Sequence, residues 1–307
     1  MTTSAAVPRS FPRRRILGAA AALAALATPV ARAADGWQPA SLHQARQLDL
    51  TSPITGQTYR IFISIPSTPP PAAGYPVVYA LDGNASFATL ALMARTTVRS
   101  NAATGASPPV VVGIGYQGDR DYAMARGRDY TPPSGATGPA NEGGADLFLD
   151  FIEKELKPLI AKLAPLDPAR QALYGHSYGG LCTLHALFTR PGMFQTYLAA
   201  SPSIWYQERA VLGGMDGFSR RVAALPSKPQ LMLAVGELEQ PSAGNGPLHG
   251  RDAIAAARRM IDEARELGER LKQANTLSRV QFHLLAHENH GSATFPAMAR
   301  GLEFFLA

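Results

Sequence analysis

The sequence predicts an α/β fold, a mainly parallel sheet with helices on both faces and an antiparallel hairpin at its start. Three observations carry that expectation. The apolar runs Val77–Leu81, Val110–Ile114 and Gln230–Val235 are continuous rather than alternating, as strands buried on both faces are. From residue 76 onward such runs alternate with segments of helical periodicity, the pattern of βαβ crossovers. Between one strand and one helix lies Gly175-His176-Ser177-Tyr178-Gly179, which suits a sharp strand-to-helix turn.

Taken in order, residues 47–51 and 58–65 flank Pro53-Ile-Thr-Gly-Gln57 and read as a hairpin. A Pro/Ala/Gly linker over 66–75 leads to strand 77–81, which ends at Asp82-Gly83-Asn84, and helix 85–95 follows. Strand 110–114 precedes residues 115–144, rich in Gly, Pro and polar groups. A loop of that length in a compact domain points to a functional cover. Phe148, Phe151, Ile152, Leu156 and Leu159 place a helix over 145–163, feeding strand 171–174 and the Ser177 turn. Strand 197–201, strand 230–235, a charged helix over 252–274, strand 280–285 and helix 294–306 complete the chain.

The first 33 residues read as a cleaved export signal of twin-arginine type. Arg13-Arg14-Arg15-Ile-Leu precedes an Ala/Leu run, and Ala31-Arg32-Ala33 offers a cleavage site. The run, about a dozen residues, is short for a membrane span, so no stable membrane insertion is expected after cleavage. Five of the 29 basic residues (Arg9, Arg13, Arg14, Arg15, Arg32) lie in this segment and no acid does, which leaves 24 basic against 23 acidic residues. A balance so near neutrality gives no reason to expect nucleic acid. Residues 34–307 are long enough for one domain with a full core. Cys182 is the only cysteine, so no intrachain disulfide can form, and its place in the helix after Ser177 suggests a packing role.

A serine hydroxyl becomes nucleophilic when an imidazole takes its proton. Ser177 sits where the turn would lift it above the sheet edge, with glycine required two residues before and two after. His176, adjacent in sequence, is expected to point elsewhere. His290, on the loop after the last strand and followed by Gly291, is the expected base, with His287 the alternative. The orienting acid should follow a strand between serine and histidine, and Gly236-Glu237-Leu238-Glu239 supplies Glu239, with Glu237 as the alternative. Backbone amides of Tyr178 and Asn84 are the expected oxyanion donors. The spacing His283-x3-His287-x2-His290 does not match the zincin helix pattern and Val280–Leu285 looks extended, so no metal and no cofactor are expected.

Six segments together resemble a known family: Val77–Asn84, Arg128-Asp-Tyr-Thr-Pro132, Gly143–Phe148, Tyr174–Gly180, Ala200–Trp205 and Glu288–Ser292. The chain is similar to the esterase branch of the α/β-hydrolases that includes esterase D-type enzymes and mycolyltransferases. In pattern it is nearest to periplasmic trilactone esterases acting on enterobactin- and salmochelin-type siderophores. The resemblance implies an α/β-hydrolase fold, Ser177 as nucleophile, His290 as base, and the Asn84 and Tyr178 amides as oxyanion donors. It puts Arg128 and Trp205 at the mouth of the site and leaves the acid open, since relatives differ in using one. It implies a periplasmic serine esterase for a bulky, aromatic, anionic small molecule such as a ferric catecholate trilactone. Arg120, Arg126 and Arg128, interleaved with Tyr116, Tyr122 and Tyr130, suit such a ligand equally as they suit a solvated cover. Feruloyl or simple aryl ester hydrolysis, acyl transfer, and ligand binding without catalysis are the alternatives.

Overall fold

A computed structural model describes residue 1 and residues 40–100, 107–133, 139, 141–241 and 247–307, with side chains of 97–100 excepted. The expected export signal at 1–33 lies outside the described residues apart from Met1. Strands β1 (Ala45–Thr51) and β2 (Thr58–Ser64) form the predicted hairpin, closed between Ser52 and Gln57. They are followed by β3 (Tyr75–Leu81), helix α1 (Gly83–Ser100) and β4 (Val110–Tyr116). The segment expected as a loop carries a short helix, α2 (Arg126–Tyr130). Then come α3 (Ala145–Phe151), a π turn (Ile152–Leu156), α4 (Lys157–Ala161), β5 (Leu166–His176) and α5 (Tyr178–Thr189). The remainder is β6 (Thr196–Ala200), α6 (Phe218–Ala223), β7 (Gln230–Gly236), α7 (Gly250–Arg258), α8 (Met260–Gln273), β8 (Arg279–Leu285) and α9 (Thr294–Leu306).

The eight strands form one sheet in the order β1-β2-β4-β3-β5-β6-β7-β8. The β1–β2 and β2–β4 pairs are antiparallel and every pair from β4 to β8 is parallel. This is the α/β-hydrolase arrangement, with β5 central and the carboxyl ends of β3, β5, β6, β7 and β8 on one rim. Successive residues of β3 feed opposite faces: Val77, Tyr79 and Leu81 join the core under α3, α5 and α8, while Val78 and Ala80 join the core under α1 and α9. Burying a side chain of this size stabilises by about 1.5–3 kcal/mol, which is why double-sided burial selects unbroken apolar runs.

Two expected helices are interrupted. The helix over 145–163 contains the π turn because Pro158 cannot donate to Lys154 and its ring would crowd that carbonyl. The helix over 252–274 breaks at Arg259, which takes a left-handed conformation (φ 48°, ψ 40°). Cys182 is fully buried, and burial pushes its thiol well up.

Candidate active site

Ser177 stands at the β5–α5 junction with φ 59° and ψ −117°, a conformation that costs a non-glycine residue about 1–3 kcal/mol. Its amide donates to Ala200 O at 3.0 Å, and its carbonyl accepts from Leu181 and Ser203. The tightness of the turn falls on one of the two glycines expected, Gly175, and on Gly180 in place of Gly179. A Cβ on Gly175 would lie 2.1 Å from Gly179 O, and one on Gly180 would lie 2.8 Å from Ala200 O. Gly179 itself has room, its nearest neighbour being Leu81 Cβ at 3.4 Å.

His290, 113 residues further on, brings Nε2 to 3.0 Å from Ser177 Oγ. Its Nδ1 is 2.6 Å from Glu239 Oε2. A carboxylate at Nδ1 fixes the proton there, so Nε2 is the bare nitrogen facing the serine hydroxyl. Glu239 is held in a short 3-10 turn after β7, its side chain 1% exposed. Its other oxygen accepts from the Gly236 amide at 2.7 Å and from Ser201 Oγ. Burial alone would raise the Glu239 carboxyl; the His290 hydrogen bond and charge, with Ser201 and Gly236, outweigh it and hold the group below its usual range. The alternative residues pair elsewhere: Glu237 Oε2 accepts the His287 amide at 2.8 Å, and the His287 side chain is 93% exposed.

His176 does not point away from the site. Its Nε2 donates to the His290 carbonyl at 2.8 Å and the two rings are 4.7 Å apart. Burial, followed by the nearby His290 charge, pushes its pKa down to about 4.

The resemblance put Arg128 and Trp205 at the mouth, and Tyr130 in the interleaved segment was a further candidate for substrate contact; Trp205 lines the cavity, whereas Arg128 and Tyr130 are engaged elsewhere. Arg128 forks onto the buried Asp129, which also accepts from Tyr59 and Tyr116. Tyr130 is fully buried and its hydroxyl accepts the Asp82 amide. Arg126 takes the position beside Ser177, its fork on Asp82 at 2.7 and 2.8 Å and its guanidinium within 5.3–5.6 Å of the Tyr122, Tyr130 and Tyr178 rings. Arg126 is therefore a caged ion pair, neither a free ligand for substrate nor a solvated cover. Asn84 begins α1, where the first amides have no intrahelical acceptor; its side chain bonds both ways with the Tyr116 backbone. The Tyr178 amide likewise opens α5. A cavity of about 840 Å³ is lined by Ser177, His290, Tyr178, Trp205, Arg126 and Arg258 among others, within the size range of small-molecule sites. An imidazole between a hydroxyl and a buried carboxylate can shuttle a proton, and unpaired helix-start amides can hold an oxyanion.

A family model described as "Putative esterase" matches residues 52–281. The chain belongs to that esterase family. Among curated members, the ferri-bacillibactin esterase BesA of Bacillus subtilis is 40% identical over 81% of this chain and 85% of its own. The siderophore triacetylfusarinine C esterase of Aspergillus fumigatus is 39% identical over 75% of this chain and 81% of its own. Among solved structures, the BES protein of Bacillus cereus superposes with a TM-score of 0.78 at 34% identity, covering 89% of this chain and 98% of that one. The esterase-family fold and its class, carboxylic ester hydrolase, thus apply to this chain, and no described helix is long and apolar enough to cross a membrane.

Proposed function

We propose that this protein is an exported serine esterase that opens the ester bonds of a siderophore trilactone, with Ser177, His290 and Glu239 as its catalytic residues. The observation that carries the reading is the continuous chain Ser177–His290–Glu239, at 3.0 and 2.6 Å. Ser177 Oγ attacks the ester carbonyl carbon while its proton passes to His290 Nε2. Negative charge develops on the carbonyl oxygen, which the Tyr178 and Asn84 amides are assigned to receive. Collapse breaks the carbon–oxygen bond to the alcohol, which leaves with the proton from Nε2. Water then adds to the acyl-enzyme, gives its proton to Nε2, and Ser177 recovers that proton as the carboxylic acid departs. Glu239 stays ionised and stabilises the imidazolium, in keeping with its depressed pKa.

The siderophore assignment is supported by relatives that carry siderophore esterase names and by a cavity with Trp205 and arginines in its wall. Export to the periplasm is supported by Arg13-Arg14-Arg15 ahead of an apolar run and Ala31-Arg32-Ala33, and the mass of the protein recovered from periplasm checks cleavage after residue 33. For the activity, the purified protein is incubated with ferric and iron-free catecholate trilactones and with 4-nitrophenyl esters. Linearised trilactone from the native protein and none from Ser177→Ala is the expected result. Turnover of nitrophenyl esters alone would leave a simple aryl esterase, and no turnover of either would leave a binding protein.

A further inference from the structure

One wall of the Ser177 cavity is a helix that the core does not hold. No residue of α7 is buried, yet Arg251, Asp252, Ile254, Ala255 and Arg258 all line the cavity. The helix is fixed from its C-terminal end. Arg259, in its left-handed conformation, bonds Glu263 at 3.1 Å and Glu266 at 2.5 Å in α8. That break turns α7 out of line with α8 and lays the Arg258 guanidinium 4.4 Å from the centre of the Trp205 ring.

The charges on this wall are not balanced as those elsewhere in the site are. Arg126 is neutralised by Asp82, and His290 faces Glu239. Arg259, next in the chain, has Asp262, Glu263 and Glu266. Arg251 and Arg258 have no carboxylate partner among the described residues, and the wall's own acid is Asp252. Arg251 and Arg258 are seven residues apart, two helical turns, and so share one face about 10 Å apart along the axis. A guanidinium resting on an indole keeps its N–H edges available for oxygen anions.

We infer that α7 is the selectivity element of this esterase: Arg258 and Arg251 bind two separate anionic arms of an aromatic substrate, with Trp205 stacking on the arm beside Arg258, while Ser177 attacks the ester. The inference rests on the esterase reading and adds the residues that would select a multiply anionic, multi-armed aromatic ester over a neutral one.

The test uses the full chain carrying Ser177→Ala, so that binding is read without turnover. Its affinity for a ferric catecholate trilactone is measured by tryptophan fluorescence at low and high salt. Adding Arg258→Ala or Arg251→Ala should weaken binding at least tenfold at low salt and flatten the salt dependence. Arg258→Lys, which keeps the charge and loses the planar fork, should fall between. With Ser177 intact, the ratio of kcat/KM for the ferric trilactone to that for 4-nitrophenyl butyrate should drop at least tenfold in Arg258→Ala. Affinity within twofold of the parent in both alanine variants, or an unchanged ratio, overturns the inference. If the trilactone binds through Arg258 but is never linearised by the native protein, the siderophore-hydrolysis reading fails while the assignment of α7 stands.

Discussion

His176 Nε2 donates to the backbone carbonyl of His290 at 2.8 Å. The turn that presents Ser177 therefore also holds the loop that carries His290, through the residue immediately before Ser177. Because Nε2 carries the proton, Nδ1 is bare, and it is buried without a partner. That arrangement makes His176 a positioning residue for His290. His176→Ala should lower kcat for small esters about 10- to 100-fold with little change in KM. His176→Gln, whose amide nitrogen can donate near the same place, should recover most of it. Equal loss in both variants, or loss of KM alone, would count against positioning.

The same histidine makes stability fall with acid. An imidazole with an ordinary pKa of 6.5 that drops to about 4 in the folded protein binds its proton more readily when unfolded. Folding therefore loses stability as pH falls from 6.5 toward 4 and holds it above that window, by as much as roughly 3 kcal/mol over the whole range. Urea midpoints between pH 4 and pH 7 should slope upward with pH, and less steeply in His176→Gln.

Glu239 and Glu237 are separable by activity. Glu239→Gln should reduce kcat roughly 10³- to 10⁴-fold, because an amide no longer fixes the His290 tautomer or balances its charge. Glu237→Gln, which alters the contacts with the His287 amide and ring, should cost less than about threefold. The depressed Glu239 carboxyl also contributes stability above the ordinary glutamate pKa that is lost as pH falls below it. Melting temperatures at pH 3 and pH 6 should therefore differ less in Glu239→Gln than in the native protein.

The parallel strands were legible because burial on both faces leaves no polar position in runs such as Val77–Leu81. Ser177 and His290 were legible because topology sends the ends of β5 and β8 to one rim. Glu239 and Glu237 share one short turn, and nothing in their spacing says which side chain turns inward. Arg126 and Arg128 were exchanged for a simple reason: two residues apart on α2 they project about 200° from each other. Arg126 shares its face with Tyr130, four residues on, which it covers. The break at Arg259 left no mark, since no glycine or proline stands there, and its pairs with Glu263 and Glu266, four and seven residues on, have spacings that an unbroken helix also allows. His176 carries no such signal, since its place beside Ser177 in sequence does not show that its ring reaches the His290 carbonyl on the loop after β8.

The glycines around Ser177 should tolerate alanine unequally. Gly175→Ala and Gly180→Ala each drive a Cβ into backbone, at 2.1 and 2.8 Å, and should cost several kcal/mol with loss of soluble protein. Gly179→Ala meets only Leu81 at 3.4 Å and Asp82 at 3.5 Å, so it should lower the melting temperature by no more than a few degrees. Thermal unfolding of the three variants side by side decides the order.

Asp82 and Arg126 form an ion pair at the Ser177 cavity, which Arg126 lines, with side chains 4% and 15% exposed. Removing one partner strands the other charge away from water, a loss of about 3–5 kcal/mol, whereas removing both leaves no stranded charge. Arg126→Met should therefore destabilise strongly, and Asp82→Asn added to it should restore much of the loss. A double-mutant cycle by urea unfolding measures the coupling. The activity readout separates structure from chemistry: if Arg126 acts by being held rather than by holding substrate, the double variant should regain kcat on neutral esters along with its stability. A double variant that is stable yet still inactive would instead place the Arg126 charge in the reaction itself.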